Sequence, residues 1–60
     1  MSLEKGTRVR ISGNSIFEIM GYQSVTGTVA LVHGDSFSFK CDQTKAHESC
    51  DLNDGTIEVI

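Results

Sequence analysis

Apolar and polar residues alternate most regularly between Val25 and Cys41, in the stretch VTGTVALVHGDSFSFKC. Val25, Gly27, Val29 and Leu31 share one face of an extended chain, with Thr26, Thr28, Ala30 and Val32 on the other, because successive strand side chains point to opposite sides. Phe37, Phe39 and Cys41 repeat the pattern against Ser38, Lys40 and Asp42. The pattern predicts a β-hairpin, with two possible registers. A three-residue loop of His33, Gly34 and Asp35 pairs Leu31 with Phe37 and Val29 with Phe39; a two-residue Gly34-Asp35 turn pairs Val32 with Phe37 and Ala30 with Phe39. The three-residue loop buries the larger pairs and is the expected one. Gly27, in mid-strand, signals a bend or the close approach of another backbone.

The flanking segments carry weaker periods. Thr7 to Ser12 reads as a first strand with Val9 and Ile11 inward and Arg8 and Arg10 outward, ended by Gly13-Asn14. Ser15 and Glu18 have capping-box spacing, and Ile16, Ile19 and Met20 fall at one-turn helical positions before Gly21. The alternative for residues 13–24 is an irregular loop, and both readings make the segment a connection. A short strand is expected at His47 to Asp51, a tight turn at Leu52-Asn53-Asp54-Gly55, and a closing strand from Thr56 to Ile60 with Ile57 and Val59 on one face.

Lys5-Gly6 with Val9 and Ile11, then Gly21, Gly27, Val29 and Val32, then Leu52-Asn53-Asp54 before Ile57-Glu58-Val59-Ile60, resembles the scaffold pattern of small SH3-like barrel domains. The nearest are KOW-type domains of transcription and translation factors and the small peripheral subunit of photosystem I. The resemblance implies an all-β fold over residues 1–60: a single small five-stranded SH3-like barrel with a long loop after the first strand. It is one of fold and carries no function with it.

Length and charge narrow the function. Sixty residues bury only about 60% of the surface of the unfolded chain, which leaves room for one core and makes a dimer or a metal a natural supplement. The net charge is −3, made of +1 over residues 1–31 and −4 over residues 32–60, where Lys40 and Lys45 stand against Asp35, Asp42, Glu48, Asp51, Asp54 and Glu58. That balance disfavours non-specific nucleic-acid binding, which relies on many cations releasing counterions. The start of the chain, MSLEKGTR, has charges where a signal peptide needs apolar residues, and no run is long enough to span a membrane, so a cytoplasmic protein is expected.

Candidate chemistry is sparse. Gly34-Asp35-Ser36 superficially matches a serine-esterase block, but such sites need a larger scaffold with a histidine and an oxyanion hole, so no enzymatic activity and no cofactor are expected. The leading reading is a protein-binding accessory module of bacterial or phage type. Phe17, Met20 and Tyr22 would form an aromatic and methionine patch, and Asp42, Glu48, Asp51 and Asp54 an acidic surface for a basic partner. A first alternative is a nucleic-acid or ribosome-associated domain using Arg8, Arg10 and Lys40 together with Tyr22. A second is a zinc-stabilised mini-domain using Cys41, His47 and Cys50, whose spacing lacks paired ligand knuckles. The plainer accounts are a core role for Cys41, cross-strand ion pairing such as that of Arg10 with Glu58, and an apolar first loop that closes the core.

Overall fold

The computed structural model describes residues 3–60; Met1 and Ser2, the start of the charged N-terminal stretch, lie outside the described residues. The elements are β1 (Arg8–Ser12), α1 (Ser15–Ile19), β2 (Ser24–His33), β3 (Ser36–Cys41), β4 (His47–Asp51) and β5 (Thr56–Val59). All five strands lie in one antiparallel sheet of order β4-β3-β2-β1-β5. β1 to β4 form a meander, and β5 returns to the far side of β1, placing Val59 opposite Val9 and Ile57 opposite Ile11. β4 and β5 are the two ends of the ladder.

The central hairpin contains both candidate registers. Gly34 and Asp35 form a two-residue turn between the paired residues His33 and Ser36, and Gly34 has φ 63°, the left-handed conformation that such a turn demands at its first position. Val32 therefore faces Phe37. The ladder then slips by one residue between Val29 and Leu31, and beyond the slip Val29 faces Phe39. The expected three-residue loop is corrected accordingly: Leu31 sits opposite Ser38, not Phe37, and is 59% exposed. The turn chemistry at Gly34 sets one register and core packing of Val29 on Phe39 sets the other. A β-bulge reconciles them at the cost of one unpaired residue.

The buried core consists of Val9, Ile11, Val25, Val29, Phe37, Phe39, Cys41 and Cys50 from the sheet and Phe17 from α1, with Leu3, Tyr22 and Ile57 packed at its margin. Gly27 lies in register with Val9 on one side and Cys41 on the other. A Cβ at this position would collide with the Lys40 carbonyl and the Phe39 ring, so the bare backbone is what lets β3 close over β2 here.

The first connection is a helix of five residues, capped one position earlier than the capping-box spacing suggests. Asn14 Oδ1 accepts hydrogen bonds from the backbone N–H of Ile16 (3.0 Å) and Phe17 (3.2 Å). The Ser15 hydroxyl instead donates to Asp54 Oδ2 at 2.8 Å, tying the start of α1 to the turn before β5. Asn14 Nδ2 reaches the Asp54 carbonyl and the Cys50 sulfur, both at 3.4 Å. These contacts hold α1 across the end of β4, with Phe17 turned down onto the sheet.

Candidate protein-docking surface

Among the described residues there is no pocket. One exposed apolar surface is on α1. A helix this short has one side to spend on the sheet, and Phe17 takes it, at 2% exposure. Ile16, Ile19 and Met20 are left in solvent, Ile19 at 87%. Ile16 and Ile19 are three residues apart and so lie along the same side of the helix.

Phe17, expected in the recognition patch, is thus corrected to a core residue. Tyr22 is half-buried against the core, its backbone N–H donating to the Phe17 carbonyl at 2.8 Å. Met20 is the one member of the expected trio that stays well exposed. Ile16 and Ile19 take the places of the two rings. The helical period put Ile16, Ile19 and Met20 together, but which residue faces inward was decided by the anchoring of Asn14 and Ser15 to the turn at Asp54.

The four expected acids do not form one surface. Asp54 is at the head of α1, accepting from the Ser15 N–H at 3.3 Å as well as from its hydroxyl. Asp51 is in the same turn, where its carboxylate accepts from the Asn53 N–H at 2.8 Å. Glu48 lies opposite Phe39 on β4 and is half-buried. Asp42 is elsewhere, engaged by Arg8 Nη2 at 2.7 Å and by the Thr26 hydroxyl at 2.9 Å. The Arg8 guanidinium and then the Thr26 hydroxyl hold the Asp42 carboxyl below its ordinary value, while Asp42 raises that of Arg8. Glu18 on α1 adds to Asp51 and Asp54 near the exposed isoleucines, and residues 11–39 and 46–60 contain no Lys or Arg.

The cations of the nucleic-acid alternative share the outer face of the sheet. Arg8, Thr28, Lys40 and His47 follow one another across β1 to β4. Arg8 is occupied by Asp42, and Arg10 Nη1 lies 3.9 Å from Glu58 Oε1 on β5. Two of the three cations therefore already face carboxylates, which weakens the row as a phosphate-binding strip.

The register does not bring the residues of the zinc alternative together. Cys50 pairs with Phe37 and His47 with Lys40, so the histidine is on the outer face while both cysteines are buried on the inner one. Cys41 is four residues along β3 from Phe37, about 13 Å from the Cys50 level, and both thiols are free. Among the described residues no group of three or more His, Cys, Asp or Glu side chains is placed to hold a metal ion. Burial is the main cause that pushes the Cys50 thiol up to about 11; Asp54 and Asp51 add to the rise and the Asn14 amide opposes it.

Among the described residues no helix is long and apolar enough to cross a membrane. No family model matches the chain, and neither known proteins nor solved structures yield a match.

Proposed function

We propose that this chain is a non-enzymatic SH3-like β module that docks a protein partner through α1. The SH3-like reading is supported by the element order: a long connection after β1, a meander through β4, and a tight turn before a last strand that pairs with β1. The observation that carries the docking reading is the exposure of Ile16, Ile19 and Met20 on a helix whose single inward residue is Phe17. Burying such side chains in a partner recovers about 1.5–3 kcal/mol each.

Charge narrows the occupant. Glu18, Asp51 and Asp54 surround the helix and its anchoring turn, so the fitting partner presents an apolar knob flanked by Lys or Arg. An amphipathic synthetic peptide of Leu and Lys at helical spacing tests this, with its Leu and Glu counterpart as control. The Lys peptide is expected to shift the amide resonances of residues 15–21, to bind more weakly as salt screens the carboxylates, and to lose binding to Ile19→Asp. Equal binding of both peptides, or shifts confined to the outer sheet face, would overturn the reading.

A further inference from the structure

The two ends of the sheet differ in chemistry. On β4, the Cys41 N–H bonds the Ala46 carbonyl and the Leu52 N–H bonds the Asp35 carbonyl. Since antiparallel pairs alternate between hydrogen-bonded and non-bonded, the outward-pointing backbone groups of β4 belong to His47, Ser49 and Asp51. That edge is polar and charged, as protected edges are. On β5, the Ile60 N–H bonds the Arg8 carbonyl at 3.0 Å. By the same alternation Glu58 and Thr56 are bonded to β1, and the N–H and C=O groups of Ile57 and Val59 point away from it. The side chains along this edge are Ile57, half-buried, Val59 at 50% exposure and Ile60 at 52%. Among the described residues the open donors and acceptors of β5 are thus set in an apolar border, with one β5 charge, Glu58, in the middle on the outer face, half-exposed and 3.9 Å from Arg10 Nη1 of β1.

A second copy of the chain meets its own charge in the register centred on Glu58. The antiparallel register that overlaps all of residues 56–60 and joins the free groups of Ile57 to those of Val59 puts Glu58 directly opposite Glu58 of the copy. Like charges facing each other across a ladder are destabilising. A cation at the same place reverses the sign.

We infer that the free edge of β5 accepts an extended segment of another protein as a sixth antiparallel strand. A Lys or Arg of that segment faces Glu58, and its apolar neighbours lie beside Ile57 and Val59. Main-chain hydrogen bonds supply the attachment and the alternating side chains the selectivity. The inference uses a different surface from α1 and stands independently of the docking proposed there.

The probe is a capped synthetic pentapeptide, Thr-Val-Lys-Val-Thr, titrated into the full chain and followed by amide resonances. A contact this small is expected to be about millimolar. The Ile57 and Val59 amides should move downfield and exchange more slowly, with α1 and β4 unmoved, and a Glu-centred peptide should bind about fivefold more weakly. Val59→Pro removes a donor that β1 does not use, so the protein should stay folded and lose the peptide. Glu58→Lys should reverse the preference between the two peptides. Undiminished binding to Val59→Pro, no preference between the peptides, shifts centred on α1 or β4, or no shift by about 10 mM peptide would each overturn the inference. Concentration-dependent shifts of Ile57 and Val59 without peptide would overturn it in favour of self-pairing.

Discussion

Phe17 meets Phe39 edge-on, with ring centroids 5.9 Å apart and planes inclined at 65°. Phe39 also lies 5.6 Å from Phe37, so one ring links the helix to the middle of the sheet. A chain of 60 residues has about 3–9 kcal/mol of stability in all, and Phe17→Ala should remove about 3–5 kcal/mol of it. Denaturant titration is expected to find a much lower midpoint for that variant, with about 6 kcal/mol of stability left at most. Ile19→Ser, on the solvent side of the same helix, should change stability by less than about 0.5 kcal/mol.

Gly27→Ala tests the close approach of β3 to β2. The new methyl group meets the Lys40 carbonyl, which is backbone and cannot rotate away, and the buried Phe39 ring. The expected loss is at least about 1–3 kcal/mol, read as a lower denaturation midpoint at unchanged slope.

Asn14 caps α1 with its oxygen and bonds Asp54 and Cys50 with its nitrogen. Asn14→Ala should cost about 1 kcal/mol for the cap and more for the polar groups left without it. Asn14→Asp keeps the acceptor but sets a buried carboxylate against the Asp54 carbonyl. Protonation lets that carboxyl donate to the Asp54 carbonyl as the Asn14 amide does, so the variant should be more stable relative to wild type at pH 4 than at pH 7. Thermal melts at the two pH values check the sign.

The Asp42 carboxyl should titrate below 3.8 because Arg8 and Thr26 bond its ionised form. A lowered folded-state value means that the stabilisation is present above 3.8 and is lost as pH falls through the folded value. Both side chains are well exposed, so the effect on stability is small. The direct measurement is the carboxyl carbon shift against pH, and Arg8→Gln should return the midpoint towards 3.8.

Cys50 should resist alkylation at pH 8, because with its thiol pushed from 9.0 to about 11 the thiolate population falls about a hundredfold. Native protein is expected to react far more slowly at Cys50 than the denatured chain. The linked stability is full below pH 9 and declines as pH rises towards 11, since the unfolded chain loses its thiol proton first.

Strand positions were legible in the sequence where they depend on a local period of two: Val9 and Ile11, and Phe37 and Phe39, lie in strands as their spacing predicts, while the strand at His47 to Asp51 forms in a stretch without a sustained period. The inward residues of β1 and β3 follow from the same alternation. What alternation cannot encode is a conflict between two local preferences, as at Ala30, where turn chemistry and core packing ask for registers one residue apart and only the assembled hairpin places the bulge. The side of α1 that faces solvent is likewise a tertiary outcome, since a five-residue helix is too short to declare its own apolar stripe and takes its orientation from Asp54, 40 positions away from Asn14. The chemical contrast between the open edges of β4 and β5 was also invisible along the chain. It arises only when β5 returns to β1, because the pairing partner decides which backbone groups of Ile57 and Val59 are left unsatisfied.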